Sequence, residues 1–184
     1  MKRVALDSID LNILKELQED GRLPNVALAS RVGLSPAPCL RRVRALEAAG
    51  VIRKYVALVN PHAVNLGVTV FVQVTLNLQV EGRLDTFEDT IRQRPEVMDC
   101  YMMAGGADYL LRVVVADVEE YEQFLKQVLT RIENVASFNS TFALKEAKYS
   151  TGLPLQPLQP LSPKAITPVK REAPARRRHL FGRG

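Results

Sequence analysis

The first third of the chain repeats apolar residues at helical spacing. One predicted helix is capped by Ser8, opens at Ile9 and ends at Gly21. Its apolar face consists of Ile9, Ile13, Leu14 and Leu17. A second, shorter helix over 25–32 is predicted to be capped by Asn25 and stopped by Gly33. A third helix follows immediately, so the two are joined by a tight corner. This order predicts a helix-turn-helix.

The third helix carries the predicted DNA-contacting surface. It starts at Ser35, and its apolar stripe is Cys39, Val43, Leu46 and Gly50. Ala37, Pro38 and Arg41 lie on the opposite face, flanked by Arg42 and Arg44. Small residues there permit close approach to base edges, and an arginine one turn later reaches guanine or phosphate. The apolar run 51–58 predicts strands, which would form a wing on the phosphate backbone. The candidate DNA-binding residues are Ser35, Pro36, Ala37, Pro38, Arg41, Arg42, Arg44 and Lys54.

Charge separates the chain into three parts. Residues 1–58 carry a net charge of +4, residues 59–150 carry −5, and residues 151–184 carry +6. A basic first part suits a polyanion such as DNA, and an acidic middle would repel one. A solvated arginine face explains Arg41, Arg42 and Arg44 equally well when they are taken alone. The two cysteines, Cys39 and Cys100, are expected to be small core residues.

The middle of the chain alternates strand and helix patterns. Strands are predicted at 68–76, 97–103, 109–115 and 137–147, with helices at 83–94 and 118–132. The order strand–helix–strand–strand–helix–strand predicts a ferredoxin-like antiparallel sheet with both helices on one face. Six apolar strand residues exceed the need of one such unit and predict a dimer packed sheet to sheet: Phe71, Val72, Val74, Leu111, Val113 and Phe142.

Three stretches resemble the leucine-responsive regulator/AsnC (Lrp/AsnC) family. They are Leu6–Leu14, Arg31–Glu47 and the run Gly105-Gly106-Ala107-Asp108-Tyr109-Leu110-Leu111-Arg112. The likeness extends in order from about residue 5 to 155 and is closest to the leucine-responsive branch. It implies an α+β chain: a winged helix-turn-helix over 1–58, a linker over 59–67 and an ACT-like βαββαβ sensing domain over 68–152. It also implies homodimers that assemble further, commonly into octamers.

The same resemblance places an amino-acid effector site. It implies an effector loop of Gly105, Gly106, Ala107 and Asp108, with Ser140 and Phe142 contributed by a neighbouring subunit. Backbone N–H groups of the loop suit a carboxylate, Asp108 suits an ammonium group, and Met103 suits an aliphatic side chain. Leucine is the first expectation, followed by other apolar amino acids. From the residues alone, the favoured interpretation is that Gly105-Gly106 is only a hairpin turn with Asp108 beside it.

Three functions are open at this point. The first is a double-stranded-DNA-binding transcriptional regulator whose DNA affinity or assembly responds to an amino acid. The second is an enzyme, against which the sequence offers no nucleophile–base pair, metal cluster or phosphate loop, so neither catalytic residues nor a cofactor or metal is expected. The third is an interaction module with a vestigial DNA head. No run suits a membrane span, and the expected location is the cytoplasm, in association with the nucleoid.

The last 32 residues differ in composition from the rest. Residues 153–184 hold six of the eleven prolines and end in a cluster containing Arg176, Arg177, Arg178 and Arg183. This composition predicts an extended or disordered tail. A basic arm that adds DNA affinity and a neutral extension are both compatible with it.

Overall fold

The chain folds into two compact units in the computed structural model, which describes residues 5–77 and 81–156. The first unit contains residues 5–55 together with 151–156, and the second contains Val56–Ser150. The predicted boundary at 58 therefore falls three residues late, and the predicted linker 59–67 belongs to the second unit. The predicted tail lies outside the described residues from 157 onward. No helix within the described residues is long and apolar enough to cross a membrane.

Three helices build the first unit. They are α1 (Ser8–Glu19), α2 (Asn25–Arg31) and α3 (Pro36–Ala48). Their buried faces meet in one cluster, formed by Ile13, Leu14, Leu28, Ala29, Cys39 and Leu46. Gly33 follows α2 with φ +72°, a left-handed conformation that favours glycine and turns the chain into α3. The predicted helix-turn-helix is confirmed.

The helix starts differ from the predicted caps. Asp7, not Ser8, caps α1: its carboxylate accepts the Asp10 N–H at 2.8 Å, and the Asp10 carboxylate accepts the Asp7 N–H in return. Pro24 holds the cap position of α2, and the Asn25 side chain instead donates to the Pro36 carbonyl at 2.9 Å. Ser35 does precede α3, but its side chain makes no capping hydrogen bond.

The predicted wing strands are absent from the described part of the chain after α3. Gly50 adopts φ +70° and is not part of the apolar stripe, and the N–H groups of Val51 and Ile52 donate to the Leu46 carbonyl. Val51 and Ile52 pack against the helical cluster. Their β-branched character predicted strands, but a strand needs a pairing partner, and here the core takes these side chains instead.

The second unit is the predicted ferredoxin-like sheet. After a short 3₁₀ helix (Pro61–Val64) come β1 (Val68–Leu76), α4 (Glu81–Arg92), β2 (Val97–Met102), β3 (Tyr109–Val115), α5 (Val118–Gln127), a 3₁₀ turn (Leu129–Arg131) and β4 (Val135–Phe142). The strand order is β2-β3-β1-β4, and every pairing is antiparallel. β2 and β4 are therefore the edges of the sheet.

One face of the sheet holds the core, and this corrects the reasoning behind the predicted sheet-to-sheet dimer. Val72, Val74, Leu111 and Val113 are fully buried in the core cluster, which also includes Phe87, Tyr121 and Phe124 of the helices. Phe142 pairs with Val70 and so points to the same side. The opposite face of β1 carries Thr69, Gln73 and Thr75, with Phe71 its one apolar residue there. The count of apolar strand residues therefore mixed the two faces and does not by itself support the dimer, which stays a prediction.

Candidate functional site

The candidate DNA-contacting surface is the exposed side of α3. Arg41 and Arg44 are exposed there, and Pro38 is half-buried. Cys39 and Leu46 are buried on the other side of the helix, so the amphipathic assignment of α3 is confirmed. Ser35, Pro36 and Ala37 are also exposed at the helix start, and Lys54 is exposed after the helix. These positions leave a small-residue start followed by arginines facing away from the core.

Arg42 differs from the other α3 arginines because it forms ion pairs with α1. Its guanidinium lies 2.8 Å from carboxylate oxygens of both Asp7 and Asp10 at the start of α1. These two hydrogen bonds, that to Asp10 first, raise the pKa of Arg42. In turn, the Asp10 backbone N–H and then the Arg42 guanidinium lower the pKa of Asp7. Arg42 therefore joins α3 to the capping box of α1. Within the described residues, Arg41 and Arg44 form no ion pair.

The predicted effector loop connects β2 to β3 and is tied to the end of β1. The Asp108 N–H donates to the Val74 carbonyl at 2.9 Å, and the Met103 N–H donates to the Asp108 carbonyl at 2.8 Å. The Asp108 carboxylate accepts the Leu76 N–H at 2.7 Å through Oδ2. Asp108 thus orders the loop through both its backbone and its side chain, a structural part that sequence reasoning missed.

The loop glycines are not required by the fold of one subunit. Neither Gly105 nor Gly106 has a positive φ, and a Cβ at either position would meet no atom within 4 Å. Both are exposed, as is Met103, whereas Ala107 is half-buried. The loop does join the antiparallel strands β2 and β3, but no glycine-requiring backbone conformation explains the pair.

Ser140 and Phe142 lie on β4, together with a residue that the sequence analysis did not single out. The Tyr121 hydroxyl of α5 is 2.5 Å from the Ser140 hydroxyl, and the Tyr121 and Phe142 rings meet edge to face at 5.4 Å between centroids. Burial raises the pKa of Tyr121. Only the apolar face of α5 in the sequence hinted at Tyr121. The three residues form a joined group on the edge strand.

One subunit does not bring these two groups together. The loop joins β2 to β3, and its Asp108 binds β1 at Val74 and Leu76. Ser140 and Phe142 on β4 instead pair with Val72 and Val70, further along β1. Leu76 and Val72 are four positions apart, which at about 3.3 Å per residue separates the Asp108 carboxylate from Ser140 by roughly 13 Å. A ligand the size of an amino acid does not span that distance, so a site using both groups needs a second copy of the chain.

Tyr109, which directly follows Asp108, anchors the end of the loop in the core of the second unit. Its ring is 4.6 Å from the Phe87 ring, and its hydroxyl donates to the Glu88 carboxylate at 2.8 Å. A cavity of about 310 Å³ lies beside it, lined by Glu88, Ile91, Arg92, Val97, Met98, Asp99, Cys100, Met102 and Tyr109. None of the predicted effector residues lines this cavity. Cys100 is exposed on β2, contrary to the expectation of a core cysteine.

Two family profiles match the chain, one for each unit. Residues 6–53 match a winged helix-turn-helix DNA-binding domain. Residues 69–153 match the Lrp/AsnC ligand binding domain.

Whole-chain relatives agree with both profiles. The leucine-responsive regulatory proteins of Escherichia coli K12 and Klebsiella pneumoniae are each 43% identical to this chain over 148 residues, which is 80% of this chain and 90% of theirs. A transcriptional regulator from Neisseria meningitidis, solved as a complex with L-methionine, superposes with a TM-score of 0.77 at 42% identity, over 81% of this chain and 96% of that one. An AsnC family regulator from Agrobacterium tumefaciens gives 0.78 at 44% identity, over 81% and 97%.

Proposed function

Because the chain belongs to the Lrp/AsnC family of DNA-binding transcriptional regulators, which carry an amino-acid-binding domain, we propose that an apolar amino acid controls its DNA affinity or its assembly. The family consists of regulators rather than enzymes, which removes the enzyme alternative. The observation that carries the proposal is that one chain has both an exposed arginine face on α3 and, in its second unit, an ordered loop that contains glycines.

We assign DNA contact to the outer side of α3. Arg41 and Arg44 reach phosphate or guanine, the small residues at 35–38 admit base edges, and Lys54 contacts backbone. Arg42 is assigned a positioning part, because its guanidinium is shared between Asp7 and Asp10. The sequence places Arg41 opposite the apolar stripe and the other two arginines at its flanks, but it does not show the carboxylate partners of Arg42.

Arg41→Ala tests that surface. A duplex selected from a random pool by the full-length protein is titrated by fluorescence anisotropy. We expect Kd to rise about 5-fold to 150-fold, the range for one good base or phosphate contact. The matched control is Arg22→Ala, which removes the same charge from the turn between α1 and α2. Equal effects of the two substitutions would show that α3 is not the contacting face.

The effector site is proposed to form between subunits. The loop residues Gly105, Gly106, Ala107 and Asp108 and the Met103 side chain come from one chain. Ser140 and Phe142, supported by Tyr121, come from another. Asp108 accepts the ligand ammonium while keeping its bond to Leu76, because a carboxylate has about four acceptor positions. The leucine-responsive relatives and the methionine complex make leucine and methionine the first ligands to test.

A thermal-shift panel of amino acids tests the effector. A ligand at 100 times its Kd adds about 2.7 kcal/mol to the folded state, which raises Tm by several degrees. Asp108→Asn is the matched variant, since its amide oxygen still accepts the Leu76 N–H while the charge is lost. We expect normal Tm without ligand and no shift with it. A full shift in Asp108→Asn would exclude Asp108 as the ammonium acceptor.

Regulation then follows from linkage. A ligand that bridges subunits binds one assembly better than another, and DNA that prefers the other assembly is released or rearranged. A coupling of about 1–3 kcal/mol changes DNA affinity roughly 5-fold to 150-fold. The proposal therefore includes a homodimer that assembles further, toward an octamer. It also includes residence on chromosomal DNA in the cytoplasm, as a nucleoid-associated regulator.

A further inference from the structure

The segment 151–156 belongs to the first unit, although the whole second unit precedes it in the chain. The Gln18 side chain of α1 binds this segment at one residue: its Nε2 donates to the Leu153 carbonyl at 3.2 Å, and its Oε1 accepts the Leu153 N–H at 2.7 Å. The Leu155 side chain packs against the core cluster of the three helices. The first unit is therefore built from two separate pieces of chain. We call residues 151–156 the strap.

The strap contacts the same core that holds α3. The cluster against which Leu155 packs includes Cys39 and Leu46 of α3. Gln18 lies near the end of α1, and the start of α1 binds Arg42 of α3. A strap that leaves this core therefore removes support from α1 and α3 together.

The chain before the strap comes directly from the proposed effector residues of β4. Phe142 ends that strand, and the Ala143 N–H still donates to the Thr69 carbonyl at 2.9 Å. Residues 144–150 are exposed and form neither helix nor strand. The path from residue 143 to residue 151 spans at most about 29 Å. The position of β4 therefore limits where the strap can lie.

Two connections join the units, and they lead to different elements. One crosses at Tyr55–Val56 and reaches β1 after the 3₁₀ helix Pro61–Val64. The other crosses at Ser150–Thr151 and starts from β4. Only the second connection places a strand with proposed effector residues next to a segment that packs on the helical core.

We propose that the strap transmits the state of the effector site to the helix-turn-helix. Amino-acid binding at β4 shifts the strap between a docked and a released arrangement, and this changes the DNA affinity of α3. The inference rests on the proposed function, both for the ligand at Ser140 and Phe142 and for DNA contact by α3. Coupling between distant sites needs an element with two arrangements that both sites bias. Exposed hydrogen bonds to Gln18 and one leucine side chain hold the strap, so a small change in free energy releases it.

Lengthening the connection tests the strap. A Gly-Ser linker of about six residues is inserted between Lys148 and Tyr149, which adds up to about 20 Å of reach. The contacts of the strap with α1 are unchanged by this insertion. Kd for the selected duplex is measured with and without leucine or methionine.

In the natural chain we expect the amino acid to change Kd by about 5-fold to 150-fold. In the lengthened chain this ratio should fall to about 1, while the thermal shift caused by the amino acid remains. The same linker added after Gly184 is the matched control, because it adds the same residues without lengthening the connection. It should keep the natural ratio.

Removing the Gln18 contacts tests the link at its other end. Gln18→Ala loses both hydrogen bonds to Leu153 and should also bring the ratio toward 1. Gln123→Ala replaces an exposed glutamine on α5 and should leave the ratio unchanged. In the lengthened chain Gln18→Ala should cause no further loss, because both changes act on one link.

Hydrogen exchange separates failure of the strap from failure of the proposed function. Exchange of residues 151–156 is followed by mass spectrometry without ligand or DNA. Phe142→Ala perturbs β4 directly, and it should change the exchange of this segment in the natural chain but not in the lengthened chain.

Two results would overturn the strap. One is exchange of residues 151–156 that does not respond to Phe142→Ala. The other is a full amino-acid effect on Kd in the lengthened chain, which would place the coupling in the connection at Tyr55–Val56. The proposed function fails instead when neither Tm nor Kd of the natural chain responds to an amino acid. The exchange experiment then still decides whether β4 controls the strap.

Discussion

At the scale of single residues, Gly105 and Gly106 are not needed for folding, so their small size points to binding. The folded subunit has no use for glycine at 105 or 106, since φ is not positive and a Cβ meets nothing within 4 Å. The absence of a side chain matters only if something outside the subunit approaches the backbone there. This is the pattern expected of a loop that holds a carboxylate through its N–H groups.

Gly105→Ala should therefore affect ligand binding and not folding. We expect the free energy of unfolding to stay the same or to rise by about 0.4–1 kcal/mol, because alanine restricts the unfolded chain. The amino-acid thermal shift should fall or vanish. Gly82→Ala is the matched control, because a Cβ there also meets nothing within 4 Å and the residue lies on α4, away from the loop. A normal ligand shift in Gly105→Ala would argue against backbone recognition.

At the scale of elements, the start of α1 determines how α3 is held. Asp7 caps α1 and, with Asp10, binds Arg42 of α3. One small group of charges thus caps the start of α1 and orients α3, the helix to which we assign DNA contact. Moving α3 away from α1 would break both the ion pairs and the packing of Cys39 and Leu46 in the shared core.

This junction predicts an acid-sensitive contribution to stability. Since the folded-state pKa of Asp7 lies below the ordinary 3.8, its contribution is complete above about pH 4 and is lost as pH falls through that range. Thermal unfolding is measured from pH 3 to 6. We expect the Tm of the natural chain to fall more steeply below pH 4 than that of Asp7→Asn. Arg42→Gln should flatten the same limb in part, and parallel curves for all three proteins would contradict the assignment.

At the scale of the whole molecule, the proposed effector site is a property of the assembly. Asp108 of the loop binds one end of β1, whereas the Ser140–Phe142–Tyr121 group lies beside the other end of that strand. Ligand binding therefore reports on subunit contact, which is what a regulator that changes its assembly requires.

Complementation between defective subunits tests this. Asp108→Ala and Ser140→Ala chains are each expected to bind no amino acid. When the two are unfolded, mixed in equal amounts and refolded, about one site in four should combine an intact loop with an intact β4, and binding should return at that level. Calorimetric stoichiometry measures it. Continued absence of binding in the mixture, with mixed oligomers verified by a tag, would place the site within one chain.

Local pattern determined much of this protein. Helical spacing identified α1, α2 and α3, strand alternation identified the βαββαβ order, and linear motifs indicated the family. These features depend on residues a few positions apart, so they are visible along the chain. The exception is 51–58, where β-branched residues have strand propensity but no described partner strand.

Contacts between distant residues were decided only by the tertiary structure. Arg42 meets Asp7 across 35 positions, Asp108 meets Leu76 across 32, and Leu153 meets Gln18 across 135. Helical spacing separates Arg42, beside the apolar stripe, from Arg41 on the opposite face. No local signal identifies the carboxylates that bind Arg42, or Leu153 as the partner of Gln18. The face taken by Phe142 likewise depends on its pairing with Val70 in another strand. Packing therefore decides which side chains position other groups and which remain exposed to contact a ligand. Each of these roles depends on a neighbour that comes close only when the chain folds.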